Sequence, residues 1–311
     1  MDTDPKRWRV GLVGYGEVGR IVAEDLRAQD VAVVAYDLKL ADERGSAMRG
    51  HAAEHGVALA ASHAALAAGS DLVVSAVTAS QAVAVAQACA PALHPGTFLL
   101  DVNSAAPGAK IEAARVVDAA GGRYVEGAVM TSVPPYRIQV PTLLGGPHAA
   151  ALAPALAALG FGGCKVGSER LGVASASKMC RSVMIKGLEA MVIESFTTAR
   201  HYGVEDAVIA SLQETFPGID WEKQSAYFFQ RVIEHGRRRA EEMREVAQTV
   251  RDAGLEPWSA AGTAERQAWV ADAADALWFG TRGAPGFARS ADWRTEADRI
   301  LAHIKTKDDS R

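Results

Sequence analysis

Residues 9–19 read Arg9-Val10-Gly11-Leu12-Val13-Gly14-Tyr15-Gly16-Glu17-Val18-Gly19, and this stretch decides the fold. Arg9–Val13 is a short β-type run, and Val18–Gln29 has helical periodicity. Gly14, Gly16 and Gly19 sit at the junction in G-x-G-x-x-G spacing. In that strand-to-helix context the pattern is a dinucleotide fingerprint. Gly14 permits the tight turn, Gly16 lets backbone approach a pyrophosphate, and Gly19 lets the helix pack closely on the strand. The helix N-terminus, at Glu17 and Val18, presents free N–H groups that favour phosphate charge.

The β-branched run Val31–Tyr36 follows and ends at Asp37, 18 positions past Gly19. A carboxylate there accepts hydrogen bonds from the adenosine ribose hydroxyls and repels a 2′-phosphate, which favours NAD over NADP. Lys39 softens that preference, and NADP is the alternative. Further along, Leu72–Val77, Thr97–Val102, Arg123–Val129 and Thr142–Leu144 read as strands, with Gln81–Cys89 and Lys110–Ala120 as helices. Short apolar runs alternating with helices predict a doubly wound, mostly parallel sheet: an α/β Rossmann domain. Val77, Thr78 and Asn103, at or just past strand ends, join the expected cofactor contacts.

The second half changes character. Helical patterns cover Ser175–Ala199, Val204–Glu214, Lys223–Asp252, Thr263–Ala276 and Asp292–Lys305, which predicts an all-α domain. Gly160, Gly162, Gly163 and Gly167 punctuate the boundary, so the expected division is residues 1–167 and 168–311.

The chain has 311 residues, 49% of them hydrophobic and 23% charged, with 33 basic against 37 acidic side chains. That is enough apolar material for a core, and it excludes a largely disordered chain. A net charge of −4 gives no chain-wide basic footprint for nucleic acid. Cys89, Cys164 and Cys180 are odd in number and widely spaced, so neither a disulfide framework nor a zinc pattern is expected. Cys180 is read as a small core residue. Residues 72–100 carry no Asp, Glu, Lys or Arg, yet Pro91, Pro95 and several polar residues interrupt them. They are expected to be buried strand and helix and not a membrane span. Met1–Arg9 is short and polar. The expectation is a cytoplasmic protein with no membrane and no nucleic-acid partner.

Four further segments carry a resemblance: Asp101-Val102-Asn103-Ser104-Ala105-Ala106-Pro107, Glu126-Gly127-Ala128-Val129-Met130-Thr131-Ser132, Thr142-Leu143-Leu144-Gly145-Gly146 and Gly172-Val173-Ala174-Ser175-Ala176-Ser177-Lys178. With the fingerprint, their order and spacing resemble the β-hydroxyacid dehydrogenase family, which includes 3-hydroxyisobutyrate and 6-phosphogluconate dehydrogenases. The C-terminal part resembles a less characterised branch of 6-phosphogluconate-dehydrogenase-like C-terminal domains. The resemblance implies an NAD(P)-dependent oxidoreductase acting on a hydroxy or oxo group of a small-molecule substrate, in a homodimer.

It also implies roles. The family pattern D-x-S-T-x-x-P falls on Asp101 to Pro107, with Asn103 and Ser104 in the serine and threonine places. The carboxylate-binding S-G-G falls on Met130-Thr131-Ser132, and the catalytic lysine on Lys178. The family asparagine three residues later falls on Arg181. Met130 lacks a hydroxyl, and Thr131 and Ser132 limit close backbone approach. The substrate expected is therefore not a plain small 3-hydroxy acid but one with an anionic or polar group, which Arg181 captures. Substrate contacts are expected from Asn103, Ser104, Thr131, Ser132, Arg181 and Ser182.

Lys178 suits the chemistry. Removing a hydride from a carbinol carbon requires the hydroxyl proton to leave too, and a neutral amine takes it. An ordinary lysine titrates near ~10.4, so burial or a neighbouring cation must favour the amine. Lys178, Ser182, Ile185, Lys186 and Glu189 share a helix face. Lys186 is read as a reach toward an anionic substrate or as an ion pair with Glu189 or Glu194. His235, Arg238, Arg239 and Glu242 share another face, with His235 and Arg238 read as substrate contacts against the alternative of a solvated charged face. Rival readings are an imine reductase on the same scaffold, a non-catalytic NAD-binding sensor, and a methyltransferase.

Overall fold

The structure is a computed structural model that describes Asp2 to Asp308, with side chains through Lys305. It divides into two compact units, Met1–Met179 and Cys180–Arg311.

The first unit is built on strands β1 (Arg9–Val13), β2 (Ala32–Tyr36), β3 (Ala58–Leu59), β4 (Leu72–Ser75), β5 (Phe98–Asp101), β6 (Arg123–Val129), β7 (Thr142–Gly145) and β8 (Cys164–Ser168). They form one sheet in the order β3-β2-β1-β4-β5-β6-β7-β8. All pairs are parallel except β6 with β7. Helices α1 (Glu17–Arg27), α2 (Ser46–Glu54), α3 (His63–Ala68), α4 (Ala82–Cys89), α5 (Pro107–Ala119) and α6 (Ala149–Ala158) make the connections.

The central strands are buried on both faces, and the period of two divides their side chains. Leu72, Val74, Phe98 and Leu100 pack in one core with Val22 and Leu26 of α1 and Leu152 and Leu156 of α6. Val73 and Leu99 pack in the other with Val85 of α4 and Ala113 and Val117 of α5. This is the doubly wound α/β Rossmann arrangement. The chain runs outward from β1 through β2 to β3, then returns to set β4 on the other side of β1. That reversal makes a crevice at the C-terminal ends of β1 and β4, where such sheets bind ligands.

Several elements leave no clear periodicity in the sequence. β3 has two exposed residues, and β8 is an edge strand with an exposed centre. α6 is a run of alanines and leucines with Pro154 inside it, so it shows no polar face. β4 stops at Ser75, before the expected Val77, because the Val77 N–H donates to Asn103 Oδ1 and leaves the ladder.

The second unit contains only helices among its described residues. α7 (Val173–Tyr202) begins in the first unit and continues into the second, followed by α8 (Glu205–Thr215), α9 (Trp221–Asp252), α10 (Trp258–Asp275) and α11 (Trp293–Asp308). Its core is aromatic: the rings of Phe196 and Trp293 lie 5.0 Å apart, beside Trp221 and Phe229. At Gly236 of α9 a Cβ would stand 2.8 Å from the Gln267 carbonyl of α10, so the glycine lets these helices close up. The division falls at 179/180, not 167/168, because the first turns of α7 are tied to β6: Glu126 accepts from Ala174 N and Ser175 Oγ. Among the described residues no helix is long and apolar enough to cross a membrane. Cys180 is exposed, contrary to the core position expected of it.

Candidate active site

The fingerprint loop behaves as its glycines require. Gly14 has φ +90°, its N–H donates to the Tyr36 carbonyl at 2.9 Å, and a Cβ there would lie 2.3 Å from the Ala76 carbonyl. At Gly19 a Cβ would lie 2.1 Å from the Gly14 carbonyl. At Gly16, the N-cap of α1, a Cβ would meet nothing within 4 Å and no side chain caps the helix. The backbone N–H groups of the first turn, at Glu17, Val18 and Gly19, thus lack a side-chain cap at an open position. Those are the requirements of a pyrophosphate.

Asp37 closes the far side of this loop. Its Oδ2 accepts from Tyr15 N at 2.9 Å and its Oδ1 from Lys39 N at 2.9 Å. A carboxylate has about four acceptor positions, so capacity for a ribose hydroxyl remains.

Asn103 is 4% exposed and acts as a joint between strand ends. Its Oδ1 accepts from Val77 N at 2.6 Å, and its Nδ2 donates to Ser75 Oγ at 2.9 Å. This shapes the Val77–Thr78 loop after β4, where Thr78 is exposed. Both polar atoms of the side chain have partners in the scaffold, so Asn103 braces the Val77–Thr78 loop.

Below it lies a buried network that the sequence did not announce. Asp101 is 1% exposed and forms an ion pair with Lys110 Nζ at 2.8 Å. Tyr124 Oη donates to its other oxygen at 2.7 Å, and Asn103 N donates to Oδ1 at 2.9 Å. Burial and the Asp101 carboxylate hold the Tyr124 hydroxyl well above its ordinary value, so it remains a donor. The loop carrying Asn103 and Ser104 is therefore pinned from beneath.

Glu126, in the middle of β6 and 0% exposed, does the same for α7. It receives Ala174 N at 3.1 Å and Ser175 Oγ at 2.9 Å, placing a negative charge at the positive end of a 30-residue helix. Gly145, opposite Glu126 on β7, makes room for it. A glutamate inside the apolar run Tyr124–Val129 was the available signal, since a buried carboxylate needs partners.

These two supports bring Ser104 and Lys178 together: Lys178 Nζ donates to Ser104 Oγ at 2.6 Å. Thr131 and Ser132 follow β6, exposed and half-buried, after Met130 N has bonded the Pro141 carbonyl at 2.9 Å.

In the second unit, Arg181 is exposed and Ser182 buried on α7. Lys186 is buried and paired with Glu242, while Glu189 pairs with Arg239 and Glu194 with Arg266. Lys186 therefore forms an ion pair, but not with either partner expected. Burial lowers its pKa despite the facing carboxylate. The charged face of α9 is split. Arg239 is 5% exposed against α7, whereas Arg238 is exposed and bonds Glu242 at 3.0 Å. Glu234, His235, Arg237, Arg238, Asp275 and Arg282 line a cavity of about 290 Å³. Burial, then the surrounding arginines, push His235 down to about 4.

Residues 9–160 match the NAD binding domain of 6-phosphogluconate dehydrogenase, and residues 199–270 match a domain of unknown function, DUF1932. A conserved hypothetical protein from Sinorhizobium meliloti 1021 is 36% identical, covering 94% of this chain and 96% of its own, with a TM-score of 0.74. A conserved protein of unknown function, described as similar in structure to 3-hydroxyacid dehydrogenases, is 27% identical over 85% of this chain and 97% of its own, with a TM-score of 0.67. The 3-hydroxyisobutyrate dehydrogenase of Mycobacterium tuberculosis, solved with L-serine, shares the fold at 16% identity, 94% and 99% coverage and a TM-score of 0.69. On the near-full-length likeness and the two matched segments, the chain belongs to the β-hydroxyacid dehydrogenase-like family, in the branch that joins the 6-phosphogluconate dehydrogenase type of NAD-binding domain to DUF1932.

Proposed function

We propose that this protein is a dehydrogenase or reductase acting between a hydroxy and an oxo form of a small substrate that bears an anionic or polar group, with Lys178 as general acid and base. The observation that carries the reading is the Lys178–Ser104 bond at the C-terminal end of β5, in the same unit as the fingerprint. Gly14, Gly16, Glu17, Val18 and Gly19 would hold the pyrophosphate by backbone, Asp37 the adenosine ribose, and the Val77–Thr78 loop braced by Asn103 the nicotinamide side. Asp37 favours NAD over NADP. The nicotinamide, when bound, accepts or supplies the hydride.

In oxidation Lys178 takes the substrate hydroxyl proton as the carbonyl forms. In reduction its ammonium returns that proton to the oxygen. Ser104 fixes where the amine stands. Arg181, exposed one helical turn beyond Lys178, supplies a guanidinium for the anionic group. Thr131 and Ser132 offer hydroxyls to its polar atoms. A homodimer accompanies this reading, supported by the exposed Met184 and Met191 on α7. Free thiols at all three cysteines suit a cytoplasmic setting.

The test is a hydride-transfer screen with NAD⁺ and NADP⁺ against hydroxy acids, polyols, amino alcohols and aryl-substituted diols, followed at the reduced-nicotinamide absorbance. Turnover that Lys178→Ala abolishes while NADH binding persists supports the reading. Turnover indifferent to Lys178→Ala overturns the role of the lysine. Reduction of imines but not of ketones would move the protein to the imine-reductase reading.

A further inference from the structure

Away from the fingerprint crevice, α1 and α2 bring three metal-ligating side chains together. Glu24 lies on α1, His51 on α2, and His55 at the C-cap of α2. One ligand atom from each lies within 4.8 Å of the others. His51 and His55 are four residues apart, so the helix stacks their rings on one side, centroids 4.4 Å apart at 30°. All three are half-buried.

We propose that Glu24, His51 and His55 form a binding site for a divalent transition-metal ion of the zinc class. Two imidazoles and a carboxylate, with a fourth position for water, are a donor set that zinc accepts. The surroundings are those of a supported site. His51 Nε2 faces Glu24 Oε1 at 2.9 Å, and Nδ1 faces Tyr15 Oη at 2.9 Å. A metal on Nε2 takes the place of the proton shared with Glu24. Nδ1 then carries the hydrogen and donates it to Tyr15, the orientation that an outer partner gives a ligating histidine. The other Glu24 oxygen accepts from Arg137 at 2.7 Å, which orients the carboxylate. A hydrogen-bond chain alone accounts for Tyr15, His51, Glu24 and Arg137. It gives the His55 imidazole no task, since that ring makes no hydrogen bond among the described residues, whereas a metal site uses it directly.

Tyr15 is the residue between Gly14 and Gly16, and its N–H is held by Asp37. The ion therefore braces the fingerprint loop through the Tyr15 hydroxyl. This inference does not depend on Lys178 or on any substrate.

The experiment is calorimetric titration of the metal-free full chain with Zn²⁺, with Co²⁺ absorption as the probe of coordination. One Zn²⁺ per chain is expected, with a visible Co²⁺ spectrum of nitrogen and oxygen ligands. His55→Ala is the informative variant, because its ring only stacks on His51; it should weaken Zn²⁺ at least tenfold while the melting temperature of the metal-free protein holds. Glu24→Gln should weaken binding similarly, and His94→Ala, remote on an exposed loop, should not. Absence of stoichiometric binding overturns the proposal, and so does binding that His55→Ala and Glu24→Gln leave unchanged.

Discussion

Lys178 Nζ and Ser104 Oγ lie 2.6 Å apart, and each is held from behind by a buried carboxylate. The Asp101 carboxylate pins the loop of Ser104 by accepting from Asn103 N, and Glu126 anchors the helix of Lys178 at Ala174 and Ser175. Both carboxylates come from neighbouring positions in the sheet, since Asp101 pairs with Glu126 in the β5–β6 register. One rung of the sheet thus fixes both ends of the bond.

In the proposed reaction Ser104 is then a positioning residue. Ser104→Ala removes one hydrogen bond to the amine, worth about 1.5–3 kcal/mol where a charged group is involved, so kcat should fall about tenfold to a hundredfold. NADH affinity should hold. Ser104→Thr keeps the hydroxyl and should restore most of the rate. A split of kcat from KM separates this from a packing defect: kcat should fall in Ser104→Ala with KM nearly unchanged, and return in Ser104→Thr.

Gly145 tests the other support. A Cβ there would stand 2.2 Å from Glu126 Oε1, backed by the rest of that buried carboxylate. Gly145→Ala should push Glu126 off the α7 N-terminus, at a cost of about 2–4 kcal/mol from overpacking and lost bonds together. Urea unfolding of the two proteins reads the loss directly. An unchanged midpoint would mean that the carboxylate can move without harm and does not anchor α7.

Asp37 bears on cofactor choice. Its oxygens hold Tyr15 N and Lys39 N, so a truncation would disturb the fingerprint loop as well as the proposed ribose contact. Asp37→Asn retains an acceptor and removes the charge. The ratio of kcat/KM for NADP to that for NAD should rise at least tenfold, about 1.4 kcal/mol. A constant ratio would show that the carboxylate does not face the 2′ position.

The fingerprint and its strands were legible in the sequence because local periodicity and glycine geometry act over a few residues. Lys178 and Ser104 stand out only through resemblance; nothing local says that residues 74 positions apart meet. The buried network was less visible. Lys110 looks like an ordinary helix lysine, and only its 1% exposure beside Asp101 reveals a buried pair. Helix spacing points Lys186 to partners within α7, whereas its actual partner, Glu242, comes from α9. His51 and His55 are a plain i, i+4 pair in sequence, and only the packing of α2 near α1 adds Glu24.

His235 provides a pH prediction. Burial, then Arg231, Arg238, Arg239 and Arg282, lower its pKa from an ordinary value near ~6.5 to about 4. Glu234, 3.6 Å away, opposes this without prevailing. Between those values the unfolded chain binds the proton and the folded chain does not. Stability therefore rises with pH across the window and is lost as pH falls from about 6.5 to 4. The side chain is 30% exposed, so solvent screening reduces the contribution to about 1–2 kcal/mol. His235→Gln removes the titrating group. Urea midpoints at pH 7.5 and pH 4.5 should show the wild-type protein losing about 1 kcal/mol more than the variant between the two conditions. Equal losses would mean that His235 is protonated as readily in the folded chain as in the unfolded one, and that the arginines around it do not govern its charge.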